Sequence, residues 1–170
     1  NLVVDKFIAL TVRKPLAGYT RDYFDIQLEI IRLLLDHRLF MQAFTVMREL
    51  IGSVGLIQEK KSITSCEGKR LRRKAELFIR MVSNEKSKWQ FNDDENKTRE
   101  KLMPLFSQLE STDVEPELRS FVKELTDYRN GFDHAWTSKN GSKQDIEDKG
   151  KMYFQKLESV INRLIELKMI

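Results

Sequence analysis

From Arg21 onward the chain repeats apolar residues at steps of three and four, a spacing that few folds accommodate. Phe24, Leu28, Ile31 and Leu35 recur at steps of four, three and four, which aligns them along one face of an α-helix ending near Asp36. A second stripe holds Phe40, Ala43, Met47, Leu50, Ile51 and Val54, with Gly52 and Gly55 loosening its end. The short joint between the two predicts an antiparallel pair. After a polar, turn-like segment at 58–66, a third helix turns Leu71, Ala75, Phe78 and Val82 inward. Residues 84–96 read as a loop. Leu102, Leu105, Phe106 and Leu109 predict a short fourth helix that Pro104 kinks or starts late. Glu115-Pro116 opens a fifth, because proline at the first helical position lacks only a donor that would be unpaired anyway. This helix buries Leu118, Phe121, Val122 and Leu125. A Gly/Ser/Asn/Lys loop follows at 137–143. The last helix starts near Ser142, whose spacing to Asp145 resembles a capping box, and it runs to the chain end with Ile146, Tyr153, Leu157, Val160, Ile161 and Leu164 inward. Residues 2–14 fit a helix or a strand equally well, and Pro15 and Gly18 then break the chain. The expected fold is all-α, a compact bundle of about five or six helices in a single domain, 1–170. Residues 1–18 are the expected connection to a preceding N-terminal domain, since the chain opens at Asn1 without an initiator methionine.

Composition narrows the chemistry. With 41% apolar and 33% charged residues over 170 positions, the chain can bury a core and is not disordered by composition. No apolar run approaches the roughly 18 residues a membrane span needs, so no membrane association is expected. A single cysteine, Cys66, rules out an internal disulfide and fits a reducing, cytoplasmic setting. Two histidines and one cysteine cannot by themselves build a metal site. No spacing suggests a carboxylate site, and no glycine-rich phosphate loop is present. The reading therefore calls for no metal and no cofactor.

Charge is unevenly spread. Residues 59–88 hold ten Lys/Arg against four Asp/Glu, while the whole chain carries +4. Lys69, Arg70, Arg72, Arg73 and Lys74 crowd the start of the third helix. Cations there oppose the helix dipole by a few tenths of a kcal/mol each. A basic run of this kind is a solvated face or a track for phosphate backbones, and these five are the candidate RNA-binding residues. Trp89, beside Lys88, either stacks a base or packs on the domain; packing is the reading taken.

The fifth helix runs into Tyr128-Arg129-Asn130-Gly131-Phe132-Asp133-His134-Ala135-Trp136. On a wheel with Leu118 at zero, Leu125 falls at about 340°, Phe132 at about 320° and Trp136 at about 0°. Arg129 falls at about 20°, inside the apolar stripe, and His134 at about 160°, across from it. An unpaired buried arginine is costly, so three explanations stand. Arg129 pairs with an internal carboxylate, or the helix bends or ends at Gly131 to bring both residues into one pocket, or the stripe continues as an interface with Arg129 in a cleft between two chains.

Arg129-Asn130-x-x-x-His134, late in a small helical domain, resembles the signature of the HEPN superfamily. The segment Leu39-Phe40-Met41-Gln42-Ala43-Phe44-Thr45-Val46-Met47-Arg48-Glu49 resembles the early helix of CRISPR-associated ribonucleases, in which a HEPN domain follows a nucleotide-sensing CARF domain. The resemblance implies a HEPN-like bundle acting as a homodimeric endoribonuclease on single-stranded RNA without metal, with Arg129, Asn130 and His134 as catalytic residues. It also implies a nucleotide-sensing domain ahead of Asn1.

The residue chemistry is compatible with that. Attack of a ribose 2′-hydroxyl on the adjacent phosphate needs a base, an acid and a cation for the phosphorane. Histidine, with a pKa near about 6.5, suits the first two roles, and arginine's fork suits the third. Asn130 would orient the phosphate or the histidine. Asp133 reads as a solvent-facing carboxylate, and Tyr128, Phe132 and Trp136 as core or interface. The other histidine, His37, lies between Asp36 and Arg38 at a helix end, where a capping or solvent role is the default. Two copies of His134 across a twofold axis would supply both acid and base. Competing readings are a non-catalytic helical interaction module, a HEPN toxin of a toxin–antitoxin pair, and a nucleotide-binding HEPN domain without nuclease activity.

Overall fold

The computed structural model describes residues 18–59, 68–135 and 143–170, and the side chains of 18–59, 68–128 and 145–170. Six α-helices lie among the described residues: α1 (Arg21–Asp36), α2 (Phe40–Val54), α3 (Gly68–Ser83), α4 (Asp93–Glu110), α5 (Val114–Ala135) and α6 (Lys143–Glu166). One 3-10 turn, Lys86–Lys88, lies between α3 and α4. The all-α bundle expected from the periodicity is what forms. Residues 2–14, the segment 60–67 with Cys66, and the loop around Ser142 lie outside the described residues.

α2 is the central element, packing on α1, α3, α5 and α6, while α4 lies outside against α3 and α5. Its sequence explains this. Ala43, Phe44, Met47, Leu50, Ile51 and Val54 are all buried, so the apolar stripe is wide enough to meet neighbours on several sides. Phe24, Leu28 and Ile31 of α1, Leu118, Phe121, Val122 and Leu125 of α5, and Leu157, Val160, Ile161 and Leu164 of α6 complete the core. Fully burying side chains of this size contributes about 1.5–3 kcal/mol each.

Three details depart from the sequence reading. Gly52 and Gly55 do not loosen α2; they let α3 cross it closely. A Cβ on Gly52 would stand 3.1 Å from the Ala75 Cβ, and one on Gly55 would stand 2.6 Å from Phe78, closer than packed carbon atoms approach. The fourth helix is not short. It starts at Asp93, where Asn92 and Glu95 form a capping box: the Asn92 side chain accepts from the Glu95 N–H at 3.0 Å, and the Glu95 carboxylate accepts from the Asn92 N–H at 3.0 Å. Pro104 sits inside this helix on an exposed position, where the carbonyl it deprives of a donor can turn to water. α6 ends at Glu166, short of the chain end.

The ends of the helices sort into two groups. Tyr23 Oη lies 2.9 Å from Ser53 Oγ, and Arg163 reaches Asp113 at 3.5 Å. The start of α1, the end of α2, the start of α5 and the end of α6 thus share one end of the bundle. At the other end Tyr128 meets Phe44, and Gly150 lies against Leu35 and Phe40, gathering the end of α1, the start of α2, the end of α5 and the start of α6. Among the described residues no helix is long and apolar enough to cross a membrane.

Candidate functional site

α5 carries the Arg-Asn-x-x-x-His stretch, and its first turn shows how it is anchored. Glu115 is buried and pairs with Arg119 one turn on. The Arg119 Nε also donates to the Val82 carbonyl at 3.3 Å, tying α5 to the end of α3. Leu118, Phe121, Val122 and Leu125 then fix one face of α5 in the core.

Tyr128 carries that face to the threshold of the motif. Its ring meets Phe44 edge-on at 5.6 Å and Tyr153 at 5.7 Å, separations at which aromatic pairs gain beyond plain burial. Its hydroxyl donates to Asp145 Oδ2 at 3.1 Å. Burial, and then the hydrogen bond and negative charge of Asp145, push the Tyr128 hydroxyl well above its ordinary range, so it stays a donor. Burial raises Tyr153 as well, to about 12, helped by the carboxylates of Glu124, Asp145 and Asp127. The sequence reading had Tyr128 as core or interface and Asp145 as part of a cap. The contact between them, which fastens the start of α6 to the end of α5, was missed. Tyr and Asp seventeen positions apart across a loop leave no periodic trace.

The backbone of α5 continues as helix through Gly131 to Ala135. Of the alternative that the helix bends or ends at Gly131, the ending is therefore corrected. Positions 129 and 134, five residues apart on one unbroken helix, lie about 140° apart around its axis. The side chains of Arg129, Asn130, Asp133 and His134, and Trp136 altogether, lie outside the described residues. The second histidine, His37, is the exposed C-cap of α1, at the same end of the bundle as Tyr128.

The basic cluster sits elsewhere. α3 begins beside Glu59, just past the end of α2. The length of α2, on the order of 20 Å, separates this cluster from the Tyr128 end. Its five residues have different surroundings. Lys74 is buried and donates to Glu59 Oε1 at 2.8 Å, and Arg70 donates to Glu59 Oε2 at 3.2 Å. Burial pushes the Glu59 carboxyl up, but the hydrogen bonds and charges of Lys74 and Arg70 outweigh it and leave it below the usual carboxylate range. Lys69, Arg72 and Arg73 are exposed. Lys69 and Arg73 face α4 across a groove of about 820 Å³, whose far wall carries Lys97 and Lys101. These two lysines lie between the segment read as loop, 84–96, and Leu102, the first apolar residue of the fourth helix, so the sequence reading assigns them to neither. Once α4 is extended to Asp93, Asp94, Lys97, Thr98 and Lys101 fall on one face at helical spacing.

Trp89 packs rather than projects. Its ring meets Phe106 at 5.1 Å, and its indole N–H donates to the carbonyls of Met81 and Asn84 at 3.2 and 3.1 Å. No described group of three or more His, Cys, Asp or Glu side chains is placed to hold a metal ion. No family model, curated protein or solved structure matches the chain.

Proposed function

We propose that this chain is a metal-independent endoribonuclease for single-stranded RNA, active as a homodimer whose two copies complete one site. In this reading it is the effector domain of a CRISPR-associated antiviral defence protein of the cytoplasm, with a nucleotide-sensing domain ahead of Asn1. The observation that carries the reading is the Arg129-Asn130-x-x-x-His134 stretch on an unbroken helix. With no break at Gly131, positions 129 and 134 stay about 140° apart, which favours a pocket shared between two chains over a pocket folded within one. The bundle is also of the all-α kind the resemblance implies.

The chemistry assigns each residue a role. A His134 imidazole takes the proton of the ribose 2′-hydroxyl as its oxygen attacks phosphorus. A second imidazole protonates the departing 5′-oxygen. The products are a 2′,3′-cyclic phosphate and a 5′-hydroxyl. Arg129 stabilises the charge gathering on the phosphoryl oxygens, and Asn130 orients the phosphate or the imidazole.

The test is cleavage of a generic single-stranded RNA in the presence of chelator, with product ends identified. His134→Ala and Arg129→Ala are each expected to remain folded dimers and lose activity by at least about 10²-fold, the scale of a lost acid–base group. Full activity in His134→Ala overturns the assignment. Loss of wild-type activity in chelator overturns the metal-free mechanism. His37→Ala is the discriminating control, because His37 shares this end of the bundle. Unchanged activity supports two copies of His134, whereas loss moves the second imidazole to His37 within one chain.

A further inference from the structure

The groove between α3 and α4 is lined by seven Lys/Arg and three Asp/Glu, a formal +4 that equals the net charge of the whole chain. Its cations divide into two kinds. Arg70 and Lys74 are engaged by Glu59. Arg80 is held by Glu95, by the Gln90 carbonyl at 3.1 Å and by the face of Phe91 at 5.2 Å, so it braces α3 against α4 and sets the width of the groove. Lys69 and Arg73 on one wall and Lys101 on the other are exposed and make no ion pair among the described residues. Lys97 makes only a 3.7 Å contact with the fully solvated Asp94. Four cations thus face each other across a channel with a rigid frame. From Lys69 to Arg80 the wall runs about 16 Å along the α3 axis, longer than a single phosphate. The aromatic groups nearby, Trp89 and Phe91, are partly buried and engaged by Phe106 and Arg80.

We propose that the α3–α4 groove is a phosphate-backbone site for single-stranded RNA, formed by Lys69 and Arg73 opposite Lys97 and Lys101, and remote from the cleavage position. This rests on the ribonuclease reading for the choice of RNA. It adds the α4 wall, and it places the site about 20 Å, the length of α2, from the end of the bundle that carries His134. Charge without stacking holds a strand with little regard to sequence and with strong dependence on salt. The groove therefore captures long RNA and feeds it to the motif, and a strand too short to reach both gains nothing from it.

The experiment measures fluorescence anisotropy of a 2′-O-methyl RNA, which lacks the attacking hydroxyl, so binding is read without cleavage. Four phosphate contacts on a single strand give a slope of log K against log salt of about −3, at roughly 0.7 per contact. The double variant Lys97→Glu/Lys101→Glu is expected to bind at least about tenfold more weakly at low salt and to flatten the slope by about 1.4. Both positions are exposed on α4, and unchanged circular dichroism checks the fold. A strand of roughly sixteen nucleotides is expected to be affected and one of roughly four much less, the limits of single-domain site sizes. Equal binding by wild type and double variant overturns the groove. So does displacement of the RNA by polyglutamate at equal charge concentration, which would make the surface a site for acidic protein. The two proposals fail separately. Groove-dependent binding by a protein that never cleaves natural RNA leaves the groove standing and removes the nuclease, and cleavage with a groove variant of undiminished affinity does the reverse.

Discussion

The two ends of α2 are held by different physics. Towards Val54, the helix meets α3 through glycine: Gly52 and Gly55 admit Ala75 and Phe78 to near contact. The flanking polar groups are ionic, with Glu59 gripping Lys74 and Arg70. Towards Phe40, the same helix meets α5 and α6 through rings. Phe44, Tyr128 and Tyr153 form an edge-to-face triangle with centroids 5.6 to 6.1 Å apart, closed by the Tyr128–Asp145 hydrogen bond. The ionic end carries the cations proposed to hold RNA. The aromatic end carries the stretch proposed to cut it. Charge works at a distance and tolerates movement of the ligand, whereas cleavage needs groups held within a fraction of an ångström. The interlocked rings are found at the end of the bundle that carries the motif.

Truncating Phe44 is the strongest way to break that contrast. Its ring is fully buried and faces both tyrosines, so Phe44→Ala is expected to cost about 3–5 kcal/mol, read as a shift in the urea midpoint with unchanged slope. A loss below about 1 kcal/mol would mean that the triangle contributes little and that the two ends do not differ as argued.

Glu59→Gln probes the other end and is expected to cost about 1–3 kcal/mol, because it leaves the buried Lys74 ammonium without a countercharge. Its signature is in pH. The Glu59 carboxyl is lowered in the folded chain, so its contribution is present above the unfolded carboxylate pKa and is lost as pH falls through the folded value. Wild type should therefore lose more stability than Glu59→Gln on acidification below about pH 4.3. Parallel acid titrations of the two proteins would show that the Lys74–Glu59 pair contributes no stability.

What could be read from sequence followed from periodicity. α1 was legible from Arg21 to near Asp36 because Phe24, Leu28 and Ile31 repeat cleanly and Pro15 and Gly18 break the chain ahead of it. The start of α4 escaped because its first two turns hold no apolar stripe; Asn92 and Glu95 hold them instead, and a capping box weighs less than a loop-like composition when both are present. Gly52 and Gly55 were misread because glycine loosens an isolated helix but serves close approach in a packed one, and only the neighbour α3 decides which. Grouping Lys69 to Lys74 as one basic cluster ignored direction: at about 100° per residue these five point around most of the helix, so Lys74 was free to turn into the domain and meet Glu59. The Lys97–Lys101 wall depended on the missed start of α4. The motif itself was legible only as a pattern of residue types.

The smallest expected effect is the most informative about the site. Tyr128→Phe keeps the ring against Phe44 and Tyr153 and removes only the donor to Asp145. A hydrogen bond to a charged group contributes about 1.5–3 kcal/mol net, and the partial exposure of both Tyr128 and Asp145 places this one at the low end, so a modest shift in the denaturation midpoint is expected with no change in slope. Cleavage provides the sharper reading. Tyr128 precedes Arg129 directly, and Asp145 lies at the start of the helix that follows the motif, so their hydrogen bond ties together positions on either side of it. If the clamp positions the motif, Tyr128→Phe lowers kcat by a larger factor than KM rises, while 2′-O-methyl RNA still binds through the α3–α4 groove with unchanged affinity. If kcat is unchanged while the midpoint falls, the hydrogen bond serves only stability. The aromatic end is then a fastening of the bundle like the ionic one, and the positioning of Arg129 and His134 rests on other contacts, those across the proposed dimer among them.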